Sequence, residues 1–443
     1  MTKFPEILHG LVWGAPTLVL ILGVGCFLTV KTGFAQITLF SRAMKLFIRK
    51  LQRRDGEDSS SFRCLCTALA ATVGTGNLAG VAGAICLGGP GAIFWMWVCG
   101  FIGMAVKYAE AALAVWFRSV ESGELRGGPM YIITRGLGEK WRPLAKCYCC
   151  FGVLASFGVG NAAQINTVIS CVQGIHPRIG RWIPGLLLAL TVTAALMGGA
   201  GRIGAMAEKL VPFASIGYLI LCAAVLILRL GEIPNAFGAI LQGAFSPRAV
   251  TGGMIGASFQ ALRVGCSRGI FTNEAGMGTA AIAHGGAAVR HPSEQGLMGI
   301  MEVFLDTIVI CTLTALVILT SGIPIPYGTD IGAVLTEKAF SHVLGNWTGF
   351  FLAASLCCFA FATVLGWGLY GGRCLEYLLG APAWQGFALA QGIMALLGAV
   401  LETGPVWLLA ECFNGLMAIP NMFTLAVLAS EVRRLTIDYR KSG

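Results

Sequence analysis

Gly74-Thr75-Gly76-Asn77 stands in the middle of an apolar stretch, 64–87, that is long enough to cross a bilayer. Polar, glycine-rich backbone at that position is a break in a membrane helix. Unpaired N–H and C=O groups in hydrocarbon cost several kcal/mol each, so a break is tolerated only where protein covers it or where it binds something. Transporters place substrates and coupling ions on such breaks. A second polar run, Phe271-Thr272-Asn273-Glu274-Ala275-Gly276-Met277-Gly278, follows roughly 200 residues later, the pairing expected of two related halves.

Composition sets the class. Hydrophobic residues make up 56% of the chain and charged residues 12%, against about a quarter charged in soluble domains. Segments near 11–30, 64–87, 91–117, 147–173, 182–198, 205–229, 250–287, 297–321, 346–371, 384–401 and 404–431 are each mostly apolar and of bilayer length, giving eleven expected spans. The first lacks a small-residue cleavage site and reads as a retained helix. The stretch 250–287 is too long and too polar at its centre for one straight helix, so it reads as a second interrupted one.

The net charge of +10 is spread over loops, which argues against a nucleic-acid partner and reports topology instead. With the N-terminus outside, 22 Lys and Arg residues face inward and 6 outward. That excess fits the positive-inside rule and an odd number of spans, and it puts the C-terminus in the cytoplasm. Most of the 16 cysteines lie in apolar spans and read as small hydrophobes. The Cys147-x-x-Cys150 spacing has no second pair and no nearby His to make a metal site.

Three parts follow along the chain: an N-terminal helix with a basic cytoplasmic loop (1–63), a first five-span repeat with its outer loop (64–249), and a second repeat with a cytoplasmic tail (250–443). Each repeat carries its interruption in its first span. Five is odd, so the second repeat enters the membrane from the opposite side, as an inverted repeat must. A moderately polar outer segment, 322–345, has helical spacing from Ile331 to Phe340 and reads either as an external gate or as a connecting loop.

In the first break, N–H groups around Thr75, Gly76 and Asn77 lose their helical partners where a half-helix presents its positive end, which favours a carboxylate. Glycine lets the ligand approach the backbone closely. Carbonyls freed around Ala70 and Val73 suit a small hard cation. In the second break, Thr272 or Asn273 is expected to cap a new half-helix with Glu274 in its first turn. Glu274 either satisfies orphan donors or has an ion or proton role. Phe271 either packs or covers a ligand. Lys107 and Glu110, three apart, are expected to pair, and Arg263, Arg268, Glu302 and Asp306 to form similar neutralising pairs. Asn161 and Gln164 share a helix face that should look toward a polar cavity. Thr363 and Trp367 also share one; the Thr hydroxyl could ligate a cation or back-bond to its own helix.

The runs Gly74-Thr75-Gly76-Asn77-Leu78-Ala79-Gly80-Val81-Ala82, Gly127-Gly128-Pro129-Met130-Tyr131, Phe271 to Gly278, Leu365-Gly366-Trp367 and Asn414-Gly415-Leu416-Met417-Ala418-Ile419-Pro420-Asn421 resemble the alanine or glycine:cation symporter family. The resemblance implies an all-α polytopic membrane protein on the leucine-transporter (LeuT) fold, a five-plus-five inverted repeat with one additional N-terminal helix. It implies sodium-coupled uptake of alanine or glycine. Carried over, it puts the substrate carboxylate on Thr75, Gly76 and Asn77, with Gln164, Phe271, Thr272, Asn273, Thr363 and Trp367 around the rest of the amino acid. Sodium is implied against the carbonyls of Ala70 and Val73, across from Ala362 and Thr363. Ala362 stands where Ser or Thr is expected, which weakens one sodium ligand. Gly83 and Gly368 replace larger residues and would enlarge the cavity if they faced it.

The expectation is therefore an inner-membrane secondary transporter, not an enzyme, that moves a small neutral amino acid inward with sodium. A sodium- or proton-coupled carrier of a larger neutral amino acid is the alternative. No nucleophile–base or metal constellation stands at helical spacing to support an enzyme, and no charged ring or carbonyl filter to support a channel.

Overall fold

The computed structural model describes residues 3–52, 57–121, 123–175, 178–245, 256–401 and 404–442. All eleven apolar segments fall on helix, with positions 250–255 and 402–403 lying outside the described residues. Among the described residues seven helices are long and apolar enough to cross a membrane. Two bent pairs also qualify, Ser60–Thr72 with Gly76–Gly88 at 51° and Ala410–Val427 with Ala429–Lys441 at 60°. Left outside that count are the 16-residue Trp182–Met197 and the interrupted pair Gly256–Asn273 and Thr279–His284.

The helices sort into two packed groups, and each half of the chain supplies both in the same order. In the first, Gly91–Trp116 lies against Pro292–Val303 and Gly256–Asn273, with the first broken helix alongside. In the second, Arg142–Phe157 and Ala163–Ile175 pack on Trp347–Leu379, and Trp182–Met197 packs on Ala383–Val400. So the first and second helices of each half make one group, and the third and fourth make the other. The fifth helices, Gly199–Leu228 and Gly404–Val427, flank them. Such an order is what two repeats of one five-helix unit give.

Lipid tails give helices no hydrophobic reason to associate, so close approach at small residues supplies the contact. A Cβ on Gly366 would lie 2.9 Å from the Ala71 nitrogen, and one on Gly299 would lie 2.7 Å from the Lys107 carbonyl oxygen. The first approach seats Trp347–Leu379 against the broken helix; the second joins Pro292–Val303 to Gly91–Trp116.

Outside the spans, the sequence missed a two-stranded hairpin, Ser119–Glu121 with Glu124–Arg126. It is held by charge. Arg126 meets Glu121 at 3.2 Å and Glu376 at 3.5 Å, while Arg373 meets Glu124 at 2.6 Å and Glu376 at 2.7 Å. The hairpin extends from a helix of the first group, and Arg373 and Glu376 lie on a helix of the second, so the cluster ties the two groups together. Burial alone would raise the Glu124 carboxyl, but the Arg373 and Arg126 guanidiniums outweigh it and hold the group below its ordinary range. A depressed carboxylate contributes above its unfolded pKa and loses that contribution as pH falls through the folded one. The clamp should therefore persist through neutral and mildly acid conditions. Arg373→Ala is expected to expose the hairpin to proteolysis at neutral pH; equal cleavage in wild type and variant would show that the cluster holds nothing.

On the opposite face, the helix expected at 331–340 is Ala333–Leu344. The segment before it folds onto the first broken helix: Gly328 N–H donates to the Cys86 carbonyl at 2.9 Å, and Thr336 Oγ1 donates to the Leu78 carbonyl at 3.1 Å. Asp330 sits against Gly83 and pairs with Arg268 at 3.1 Å.

Candidate functional site

The first break is built by Asn77. Its Oδ1 accepts from the Gly74 N–H at 2.8 Å, and its own backbone N–H goes to the Gly74 carbonyl at 3.2 Å. Those two N–H groups would otherwise continue the ladder to Ala70 and Val73, four residues back. Both carbonyls therefore lose their helical donors. The Asn77 Nδ2 donates to Asp306 Oδ1 at 2.7 Å, which ties the break to the neighbouring helix.

The second break differs from the capping pattern expected at Thr272 or Asn273. Gly256–Asn273 runs through both residues, and the next half-helix starts only at Thr279, preceded by Gly278 at φ 79°. Asn273 Oδ1 accepts from Ala275 N–H at 3.0 Å, and Thr272 Oγ1 back-bonds to the Arg268 carbonyl at 2.7 Å. Glu274 lies in the gap at φ 52°, a left-handed conformation rare outside glycine. Trp367 Nε1–H donates to its Oε1 at 3.0 Å, and the Thr279 hydroxyl donates to its Oε2 at 2.8 Å.

The expected pairing of Lys107 with Glu110 is corrected. Lys107 Nζ meets Glu302 Oε1 at 2.8 Å, and both side chains are buried. Glu110 turns instead to the second break, where its Oε1 accepts from the N–H groups of Gly276 and Gly278 at 3.1 Å and from Asn421 Nδ2 at 2.7 Å. The reason is backbone satisfaction: those two N–H groups have no helical partner and outweigh an ion pair that Lys107 makes elsewhere. The neutralising pairs expected among Arg263, Arg268, Glu302 and Asp306 are likewise replaced, with Arg268 on Asp330, Glu302 on Lys107 and His284, Asp306 on Asn77 and Thr307, and Arg263 exposed.

Between the two breaks is a cavity of about 30 Å³. Of the residues expected around a substrate, Thr75, Gly76, Gln164, Phe271, Thr272, Thr363 and Trp367 line it. Asn77 and Asn273 do not; their side chains are committed to the breaks themselves. Thr75 Oγ1 donates to Gln164 Oε1 at 3.3 Å, and Gln164 Nε2 donates to the Val159 carbonyl at 3.2 Å. Asn161, placed on the same face by spacing, points elsewhere and bonds to Gln391. Thr363 Oγ1 donates to the Phe359 carbonyl at 3.0 Å, yet its oxygen lies 2.8 Å from where a Cβ on Gly74 would stand, against the first break. Ala362 is buried one residue before it. The sequence reading did not include Ala71, Thr72, Val159 and Asn414, which also line the cavity. Asn414 and Thr72 had a signal, a polar side chain inside an apolar helix; Ala71 and Val159 had none.

Gly83 and Gly368 face away from the cavity. A Cβ on Gly83 would meet Asp330, and one on Gly368 would meet Leu196. Both are packing contacts. A second, larger cavity of about 810 Å³ lies on the other side of Phe271, lined also by His9, Trp13, Arg263, Arg268 and Glu411. Phe271 lines both cavities.

Two interrupted helices from two repeats, meeting over a small polar cavity, define a polytopic membrane transporter of the LeuT-type inverted-repeat fold. A structure of a sodium-coupled sialic acid symporter, bound to substrate and outward-open, shares this fold with a TM-score of 0.55 at 12% identity, over 94% of this chain and 86% of that one. The sodium:alanine symporter family matches residues 1–443, and the chain belongs to that family. It is 43% identical to the sodium/alanine symporter AgcS of Methanococcus maripaludis, over 96% of this chain and 94% of that one. It is 34% identical to the probable sodium/glutamine symporter GlnT of Bacillus subtilis, over 98% and 90%. The protein is a sodium-coupled amino-acid symporter, and sodium is the co-transported ion.

Proposed function

We propose that the cavity carries a small neutral amino acid, alanine or glycine, inward across the plasma membrane with sodium by alternating access. The N-terminus is outside and the C-terminus cytoplasmic. The substrate carboxylate lies on Thr75 and Gly76, with the first break held by Asn77, the second by Asn273, and the remaining lining around the side chain. Sodium lies on the carbonyls of Ala70 and Val73, with Thr363 from the neighbouring helix beside Ala362.

One observation carries this reading: Gly74 N–H and Asn77 N–H are both diverted from the ladder, so the Ala70 and Val73 carbonyls lose their helical donors in a break whose Gly74 faces the Thr363 oxygen. Oxygen ligands from freed backbone suit a small cation. By volume, one water needs about 10–15 Å³, so a cavity of about 30 Å³ is a tight space that favours the smallest side chains. Gly83 and Gly368 give no support to an enlarged pocket. Phe271 serves as the outer door between the two cavities, and the segment 322–345 closes over it through Asp330.

Thr363→Val keeps the shape and removes the hydroxyl oxygen. Half-saturating sodium for alanine uptake is expected to rise about 5- to 10-fold, in line with loss of one modest polar contact. Unchanged sodium dependence would remove Thr363 from the cation site.

A further inference from the structure

We infer that Glu274 and Asn414 form the subsite for the α-ammonium group of the substrate, and that ionised Glu274 is the counter-charge of the loaded cavity. The inference deepens the proposed function and rests on the cavity taking a zwitterionic amino acid.

Both side chains line the cavity and are nearly out of solvent, Glu274 at 5% exposure and Asn414 at 1%. Asn414 Oδ1 has no hydrogen-bond partner among the described residues. A buried acceptor left unpaired costs about 1–3 kcal/mol, and one aimed into a binding cavity is paired when the ligand brings a donor. Glu274 has spare capacity of the same kind. An ionised carboxylate offers about four lone-pair sites, while Trp367 and Thr279 supply one donor to each oxygen. An alkylammonium group carries three N–H donors and no acceptor, which is what two acceptors in one cavity match.

The backbone points the same way. Glu274 and Phe34 are the described non-glycine residues at positive φ. Left-handed backbone costs an ordinary residue about 1–2 kcal/mol, and glycine already serves at 276 and 278 in the same break. A carboxylate placed at a position glycine would occupy more cheaply is there for its side chain.

Charge accounting gives the second role. The buried cation Lys107 is engaged by Glu302 at 2.8 Å. A zwitterion adds no net charge, and sodium adds one positive charge beside the break. An isolated charge closed inside a membrane protein is costly, so it is met by an opposite one. Glu274 is the ionisable side chain among the residues lining the cavity, and ionised it balances a single sodium ion.

The test uses the full-length protein at saturating sodium and measures binding of alanine and of lactate, in which a hydroxyl replaces the ammonium. Glu274→Gln keeps the shape and removes the charge. It is expected to weaken alanine binding about 10- to 100-fold, the range of a hydrogen bond to a charged group, while lactate, an anion already balanced by sodium, binds no more weakly, so that the preference for alanine collapses by at least the same factor. Asn414→Leu keeps the volume and is expected to reduce that preference about 10-fold, and it decides the matter if Glu274→Gln does not fold. An alanine-to-lactate preference unchanged in the folded variants, or equal losses for both ligands, overturns the subsite. A wild-type protein that binds no alanine strikes the proposed function instead, before either variant is read.

Discussion

Replacing Lys107 by methionine is expected to destabilise the folded protein by about 3–5 kcal/mol, the cost of leaving one partner of a buried ion pair uncompensated. Lys107 and Glu302 have side-chain exposures of 0% and 1% and meet at 2.8 Å. His284 holds the other Glu302 oxygen at 3.0 Å, and Gln295 holds His284 at 2.6 Å. Methionine fills the space of the lysine stem, so packing is preserved and charge is what changes. The double variant Lys107→Met with Glu302→Gln should recover most of the loss, because neither charge is then stranded. Thermal unfolding in detergent reads the result; a single variant as stable as wild type would mean that Glu302 finds its compensation elsewhere.

Gly76→Val should abolish alanine binding, a loss of about 100-fold or more, while the protein still inserts and folds. The first Cβ atom at this position would lie 3.5 Å from Thr272 Oγ1, an ordinary contact, so the protein itself accommodates it. What the added methyls occupy is the approach to the N–H groups of the break, which a carboxylate needs at hydrogen-bond distance. Gly76→Ala should fall between the two. Alanine binding measured by scintillation proximity checks the series, and affinity unchanged in the valine variant would place the carboxylate elsewhere.

Much of the fold was legible because hydrocarbon is a strict solvent. A backbone that leaves the helix ladder inside a membrane must be covered or occupied, so Gly74 to Asn77 and Phe271 to Gly278 announced themselves against their apolar flanks. Side-chain direction was less legible. Spacing placed Lys107 beside Glu110, but the orphaned N–H groups of Gly276 and Gly278, 166 and 168 residues from Glu110, redirected that carboxylate. Asn77 and Asn273 belonged to the breaks as read, yet which way their amides turn depends on Asp306 and Thr307 across the helix interface. Spacing also grouped Asn161 with Gln164, whereas Gln391 on a distant helix draws Asn161 away. The hairpin 119–126 was too short and too charged to register as strand, and only its Arg and Glu partners on Trp347–Leu379 make sense of it.

Glycine was the residue type hardest to read. Gly83 and Gly368 look alike in sequence to Gly76, all three lying in apolar helices. Their neighbours separate them: Asp330 for the first, Leu196 for the second, and the cavity with Thr272 for the third. A small residue in a membrane helix marks either a helix contact or a ligand contact, and only the third dimension assigns it.

Coupling of the cation on Ala70 and Val73 to the amino acid on Thr75 and Gly76 is the central claim, since the two sites share one break. Uptake of labelled alanine into proteoliposomes under an inward sodium gradient, against the same vesicles with sodium equal on both sides and with a proton gradient alone, tests it most directly. Accumulation above equilibrium with the sodium gradient and none in the other two conditions is the predicted result. Accumulation driven equally well by protons, or uptake indifferent to sodium, would contradict it.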